Sequence, residues 1–275
     1  MALSAAAISA RLLTAGLPTL PTTVAKLESL ILSGDAPSQV IIDVIATDPA
    51  ITALIIGQAN ASGHHTASLA EALRHNGLGV VLATARCAIQ IEARSRPVIS
   101  ACWAQANLVA VLVPLIAEHR RFHLKRSWDA ETLQVCGLTH DLGHVLALTH
   151  FPEAYGAAAV RCDAGDGTFS AMLESELGID LGRLSAQACA GWSLPPLLAV
   201  VMTHWRDPAQ APKDGELCAI VNLAHTLAMA IGFTAGADRF VAPFDDWSMS
   251  KLELRLADFE TLVSKAFDIV EDLAL

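Results

Sequence analysis

The segment CGLTHDLGH, residues 136–144, places a histidine and an aspartate side by side among apolar residues. Its composition predicts one helix that runs through both polar residues. Burying a charged group costs several kcal/mol unless it is paired or bound to a metal, so such a pair usually has a use. Successive residues on a helix project about 100° apart, so His140 and Asp141 can converge on an ion between helices. The remaining ligands therefore decide what the site can do.

The composition favours a large core of buried helices. The chain has 275 residues, of which 53% are hydrophobic and 17% charged, and its mean hydropathy is +0.45. Two uncharged runs, residues 97–117 and 217–237, reach the ~20 residues that a membrane span needs. Both contain polar residues, and much of the hydrophobicity is alanine. We therefore expect buried helices of a soluble bundle and no membrane partner.

Charge and cysteine usage narrow the class of protein further. A net charge of −10 disfavours nucleic-acid binding, which needs a basic surface. The six cysteines are widely spaced, without a C-x-x-C motif, which is typical of core residues in a reducing compartment. Residues 1–16 lack the charged start and cleavage site of a signal peptide. These features predict a cytoplasmic location.

Residues that are typical of helix starts recur along the chain and predict an all-α fold. Asp48-Pro49 reads as an N-cap followed by proline at the first helical position, and predicts a helix to about Asn60. Ser68 and Ser250 each precede a glutamate three residues later, which is typical of a capping box. A stripe at three- and four-residue spacing predicts a C-terminal amphipathic helix; it comprises Leu252, Leu256, Phe259, Leu262, Val263, Phe267 and Val270.

An ordered series of short motifs resembles the HDOD domain, a bacterial signalling module related to the HD metal-dependent phosphohydrolases. The resemblance implies an all-α, HD-domain-like multi-helix bundle with an N-terminal helical lobe, often without demonstrable catalysis. The matching pieces are LPTLP (17–21), DPAIT (48–52), QAN (58–60), SLAEAL (68–73), GLTHDLG (137–143), WSLP (192–195), TH (203–204) and AIVNLA (219–224).

The resemblance divides the chain into four parts. We expect an N-terminal extension at residues 1–16 and a helical lobe at 17–95. An HD-like lobe follows at 96–235, and these two lobes form the HDOD domain. The C-terminal amphipathic helix falls within 236–275 and packs on the domain.

The resemblance also implies a ligand set, and this chain departs from it. HD phosphohydrolases resemble one another in a histidine, a His-Asp pair and a distant aspartate. Here Gln105 stands for the first histidine and His225 for the distant aspartate, and Leu181 occupies a position that is histidine in many HDOD relatives. The candidate metal ligands are therefore His140, Asp141, His225 and Gln105.

The altered set weakens the case for a metal enzyme. An amide oxygen at Gln105 is a weak ligand, and His225 lacks the negative charge of the aspartate it replaces. Two histidines and one carboxylate suit zinc, iron or manganese better than magnesium. We expect no resident cofactor, with one of these transition metals at low occupancy as the alternative. In the simplest case, His140 and Asp141 bond to each other or to helix ends as a structural relic.

Two further histidines are candidates for lining the cleft. His144 lies one turn after His140, without the glutamate that makes H-E-x-x-H catalytic, so we expect it to be an exposed or hydrogen-bonded histidine at the rim. His204 matches a histidine of many relatives. It could donate to a phosphate or pack on Trp205, and the sequence leaves both alternatives open.

Two functions remain. We favour a non-catalytic signalling module that acts through a protein partner or a small ligand such as a nucleotide, and that could self-associate. The alternative is a metal-dependent phosphohydrolase or phosphodiesterase. In that case His140, Asp141 and His225 would hold the ion, and His204 would contact phosphate.

Overall fold

The fold is mainly helical in the part of the chain that the computed structural model describes, which is residue 8 and residues 16–91, 95–234 and 240–273. Two strands of two residues, β1 (Pro18–Thr19) and β2 (Ile89–Gln90), pair in parallel. The all-α prediction is confirmed. The helices are α1 (Pro21–Ser33), α2 (Ser38–Ile45), α3 (Pro49–Ala61), α4 (Leu69–Cys87), α5 (Arg96–His119), α6 (Ala130–Thr139), α7 (Leu142–His150), α8 (Pro152–Asp163), α9 (Phe169–Leu177), α10 (Leu181–Gly191), α11 (Pro196–His204), α12 (Gly215–Ala230), α13 (Asp246–Lys251) and α14 (Leu256–Leu273).

Asp48 fixes the start of α3 inside the core, as its sequence pattern predicts. Its carboxylate accepts hydrogen bonds at 3.0 Å from the backbone amides of Ala50 and Ile51. It also accepts one from the hydroxyl of Thr19, which lies in β1. The side chain is fully buried. Its hydrogen bonds therefore join the short strand pair to the first turn of α3 inside the core.

A glycine brings α6 close to α5. A Cβ atom at Gly137 would lie 2.8 Å from Ala110 Cα and from the carbonyl oxygen of Val109, closer than real Cβ atoms approach. Only glycine therefore allows this contact between the two backbones. The contact sets the position of the end of α6, which leads directly into His140 and Asp141.

Glu131 links α6 to the start of α4. Its carboxylate accepts hydrogen bonds from the Ser68 hydroxyl at 2.7 Å and from the Ala70 amide at 2.8 Å. A carboxylate at the N-terminus of α4 is also favoured by the helix dipole. Ser68 itself caps α4 by accepting from the amide of Glu71, so the first predicted capping box is confirmed at its Ser68 end.

The prediction of one helix through residues 136–144 is wrong. α6 ends at Thr139 and α7 begins at Leu142. Asp141 has φ −109° and ψ 26°, outside the helical region, and the amide of His144 bonds to its carbonyl oxygen across a tight turn. His140 and Asp141 therefore form a junction between two helices, and the aspartate side chain makes no capping hydrogen bond to α7.

The second predicted capping box is also wrong. Ser250 lies in the last turn of α13, and Glu253 has φ +50°, which interrupts the helix. Residues 246–273 therefore form two helices, and α14 begins at Leu256. Asp258 ties α14 to the end of α5 through His119 at 2.8 Å and Arg120 at 3.5 Å. The domain boundaries stay predictions.

Within the described residues, one helix, α5, is long and apolar enough to cross a membrane. The bent pair α2–α3 would add a second candidate span if its two helices were taken as one. In α5, 61% of the most apolar window is buried inside the bundle. Core helices commonly have this combination of length and burial. The run at 217–237 lies largely in α12, which is also buried along most of its length.

We expect Asp48→Ala to lower the free energy of unfolding by about 2–4 kcal/mol, because a buried cap and its hydroxyl partner are lost together. The matched control is Asp180→Ala, which removes the exposed cap of α10 and should cost about 1 kcal/mol. Urea denaturation of the three proteins measures both values. Equal losses in the two variants would contradict the role of Asp48.

Candidate functional site

His140 is fully buried, and its two ring nitrogens have different partners. Nδ1 lies 2.6 Å from the carbonyl oxygen of Gly137, which can only accept, so Nδ1 carries the proton. Nε2 lies 2.9 Å from Nδ1 of His225 on α12. Burial lowers the pKa of His140 to about 4, although the charge of Asp141 acts in the opposite direction. The ring is therefore neutral near pH 7.

The tautomer of His225 follows from that of His140. Because Nε2 of neutral His140 can only accept, Nδ1 of His225 must donate. Burial and the neighbouring His140 ring hold the pKa of His225 well below its usual value. A hydrogen-bonded chain thus runs from His225 through His140 to Gly137.

Asp141 is paired with an arginine that the sequence analysis did not single out. The guanidinium of Arg206 donates a hydrogen bond to its carboxylate. Burial alone would raise the pKa of Asp141, but Arg206 and the surrounding histidines outweigh that effect and bring it to about 2. The carboxylate is therefore ionised, and its charge is neutralised by Arg206.

Trp205 forms one wall of the site. Its ring centroid lies 4.8 Å from that of His140 and 4.3 Å from that of His225. The guanidinium carbon of Arg206 lies 4.2 Å from the same ring, within the range of a cation–π contact. Trp205 is buried, so it shields the pair of Arg206 and Asp141 from water on this side.

His144 is buried close to the site and bonds to a tyrosine. Its Nε2 lies 2.6 Å from the hydroxyl of Tyr155, and its ring stacks on Phe169. Nδ1 is 3.7 Å from the Asp141 carboxylate, too far for a hydrogen bond. Burial lowers the pKa of His144. The side chain is thus hydrogen-bonded in the core, and the expectation that it lies at the rim is wrong.

Gln105, at the position implied for the first metal ligand, bonds elsewhere. Its side-chain nitrogen donates to the carbonyl oxygen of Phe233 at 2.9 Å. Gln105 still lines a small cavity that reaches His140 and Asp141. The cavity offers about 10 Å³ to the centre of a water molecule, which is room for about one water. It is too small for a nucleotide.

The remaining candidates lie outside this cluster. His204 is half-buried at the end of α11, and the described contacts of the site do not include its side chain. Leu181 is fully buried at the start of α10 and contributes to the core. Whether His204 contacts a ligand stays a prediction.

The geometry offers a mixed fit to a metal ion. One ligand atom from each of His140, Asp141 and His225 lies within 4.8 Å of the others, which favours binding. However, the His140 lone pair already accepts a proton from His225 at 2.9 Å, whereas two nitrogen ligands of tetrahedral zinc stand about 3.3 Å apart. The Arg206 guanidinium neutralises Asp141 and repels a cation. In this arrangement the residues fit a metal poorly.

The chain belongs to the HDOD domain family, since the family model matches residues 17–208. This match confirms the resemblance found in the motifs. In this member, Arg206 pairs with the aspartate of the His-Asp motif, and a pair of histidines lies beside it. No curated protein matches the chain significantly.

Solved structures share the fold at low sequence identity. The MmoQ response regulator from Methylococcus capsulatus str. Bath is 21% identical with a TM-score of 0.65, over 91% of this chain and 99% of that one. An HDOD domain protein of unknown function from Geobacter sulfurreducens is 19% identical with a TM-score of 0.56, over 96% and 94%. A virulence factor from Campylobacter jejuni subsp. jejuni is 15% identical with a TM-score of 0.64, over 85% and 86%.

We expect the free energy of unfolding to fall as pH drops from 7 to 5. A buried histidine with a lowered folded-state pKa takes up its proton more easily in the unfolded chain, so acid favours unfolding below pH 6.5. His140 alone, with a pKa of about 4, accounts for about 2 kcal/mol over this range. Asp141 acts in the same direction only below about pH 4. Urea denaturation at a series of pH values measures the loss.

Two variants separate the contribution of the site from that of other histidines. His140→Gln should reduce the dependence between pH 7 and 5, and His144 and His225, whose pKa values are also lowered by burial, should keep part of it. His123→Gln, which changes an exposed histidine paired with Glu253, should leave it in place. Stability that stays constant or rises on acidification of the wild-type protein would contradict the neutral, buried histidines.

Proposed function

We propose that the protein is a non-catalytic regulatory HDOD module that acts through a protein partner or a bound small ligand. The observation that carries this proposal is the ion pair between Arg206 and Asp141. HD phosphohydrolase chemistry requires a metal that polarises a phosphoryl oxygen and activates water. Here a guanidinium contacts the carboxylate that such a metal would need.

Two further contacts support the proposal. The side-chain nitrogen of Gln105 donates a hydrogen bond to the backbone carbonyl oxygen of Phe233. His225 uses its Nδ1 proton to bond to His140. Gln105 and His225, which replace two ligands of the family's set, thus both have hydrogen-bond partners inside the fold, which favours a structural role for them over hydrolysis.

The structural relatives are consistent with a regulatory role. The MmoQ protein, which shares the fold over nearly its full length, is described as a response regulator. At 21% identity the likeness establishes the fold, and the regulatory role of this chain remains our proposal.

The alternative, a phosphohydrolase, requires Arg206 to leave Asp141 and His225 to change tautomer. We expect no hydrolysis of bis-p-nitrophenyl phosphate, nucleotides or cyclic dinucleotides in the presence of manganese, magnesium, zinc or iron. The control is the His140→Ala, Asp141→Ala double variant, which fixes the background rate. Turnover by the wild-type protein that disappears in this variant would establish the enzyme and overturn the proposal.

A regulatory module must bind something. We expect the tagged chain to retain one defined protein from an extract of its own source, or to release a small molecule on denaturation that mass spectrometry detects. Competition with excess untagged chain tests whether a captured protein is specific. Absence of both a competed partner and a released ligand would count against the proposal.

A further inference from the structure

We propose that the groove between the start of α12, α13 and the segment that joins α5 to α6 binds a small aromatic phosphate. By this we mean a flat aromatic ring joined to a phosphate group, as in a nucleoside monophosphate. The groove is separate from the His-Asp centre, because the two cavities share no lining residue. Its role in signalling rests on the proposed function, whereas the binding itself does not.

Three segments that are far apart in the sequence form the groove. Lys125 and Trp128 come from the connection between α5 and α6, Gly215 from the start of α12, and Trp247 and Lys251 from α13. The cavity has a volume of about 360 Å³. Small-molecule sites range from about 300 to 1,000 Å³, so this volume suits one small ligand.

Two tryptophans supply the aromatic part of the site, and each has a cation beside its ring. The guanidinium carbon of Arg126 lies 5.8 Å from the centre of the Trp128 ring. The Lys251 ammonium lies 5.8 Å from the centre of the Trp247 ring. Both distances are within the ~6 Å of a cation–π contact. Partly exposed aromatic rings next to basic side chains are the combination that stacks a nucleobase and holds its phosphate.

The charges of the groove favour an anion. Three basic side chains line it, together with the carboxylates of Asp214 and Glu216. Asp214 accepts a hydrogen bond from Arg126 at 2.8 Å, and Glu216 lies 3.7 Å from the Lys251 ammonium. The side chain of Lys125 has no acidic partner within the part of the chain that the structure describes. One positive charge is therefore left over, and it attracts a phosphate and repels a cationic ligand.

Contacts within the fold hold the walls of the groove in place. The Glu216 carboxylate accepts a hydrogen bond from the backbone amide of Lys125 at 3.0 Å, which ties the α5–α6 connection to α12. A Cβ atom at Gly215 would lie 3.1 Å from Cη2 of Trp247, so the Trp247 ring lies against the first residue of α12. The positive end of the α12 dipole therefore also lies at the groove. A preorganised site loses less entropy when it binds a ligand.

The overall charge of the protein favours a small ligand over a nucleic acid. The chain has a net charge of −10 at pH 7, which would repel the other phosphates of an extended strand. A single phosphate meets only the basic side chains of the groove. The groove therefore suits a mononucleotide better than a polynucleotide.

The test is isothermal titration of the full chain with adenosine monophosphate (AMP), guanosine monophosphate (GMP), adenosine and inorganic phosphate. We expect one equivalent of AMP or GMP to bind about tenfold more tightly than adenosine or phosphate, because each of these offers only half of the ligand. Raising the sodium chloride concentration should weaken AMP more than adenosine, since salt screens the contact with the phosphate.

Two variants locate the binding. Lys125→Gln removes only the ammonium and keeps the amide that bonds to Glu216, so AMP should weaken about tenfold while adenosine changes little. Trp247→Leu should weaken both about tenfold, because stacking is lost. The matched controls are Lys265→Gln and Trp192→Leu, which change an exposed lysine and a half-buried tryptophan outside the groove. Both should leave AMP binding unchanged.

Circular dichroism checks that each variant folds. Lys125 is exposed, so Lys125→Gln still decides the question if Trp247→Leu does not fold. AMP binding that a folded Lys125→Gln variant leaves unchanged would overturn the proposal.

Three other results would also overturn it. The first is that neither AMP nor GMP binds at millimolar concentration. The second is that inorganic phosphate binds as tightly as AMP, which would indicate an anion site without a place for the ring. The third is that a single-stranded oligonucleotide binds more tightly than AMP, which would assign the groove to nucleic acid. None of these results depends on the hydrolysis or partner-capture experiments, so failure of this site and failure of the proposed function are distinguishable.

Discussion

The pairing of Asp141 with Arg206 is the interaction on which the centre of this domain depends. A buried carboxylate must be neutralised, and its three histidine neighbours stay uncharged because burial lowers their pKa values. The arginine meets that requirement within the chain. The family's His-Asp motif can therefore persist without a metal, as part of the structure that holds α6, α7, α11 and α12 together.

The helices around this pair are positioned by a few specific contacts. Gly137 lets α6 approach α5 closely enough to bring the junction after Thr139 to the centre. Glu131, at the other end of α6, anchors the helix to the start of α4. The apolar core is continuous through these elements. The geometry of the centre is thus a consequence of packing between helices that are far apart in the sequence.

Much of the fold was predictable because it depends on local chemistry. The caps at Asp48 and Ser68 follow from short patterns, and the structure contains both. The wrong predictions concern places where tertiary contacts override the pattern. The apolar segment around His140 reads as one helix, but Asp141 leaves the helical region where its side chain pairs with Arg206. Likewise, the left-handed backbone of Glu253 breaks a segment that resembles a capping box.

The candidate site was predictable only in part. The motif identified His140 and Asp141, and the family pattern pointed to His225, which the structure brings next to them. Arg206 was missed because a sequence can show that a buried aspartate needs a cation but cannot show which of 18 lysines and arginines supplies it. The available signal was that Arg206 lies two residues after His204 and directly after Trp205, at the end of an apolar run, so that it could reach the site.

A crystal structure of the untagged protein, with anomalous diffraction data at the absorption edges of zinc, iron and manganese, would test the central claim most directly. We expect Arg206 to lie within hydrogen-bonding distance of Asp141, with no anomalous peak beside it. An ion bound by His140, Asp141 and His225, with Arg206 turned away, would contradict the account.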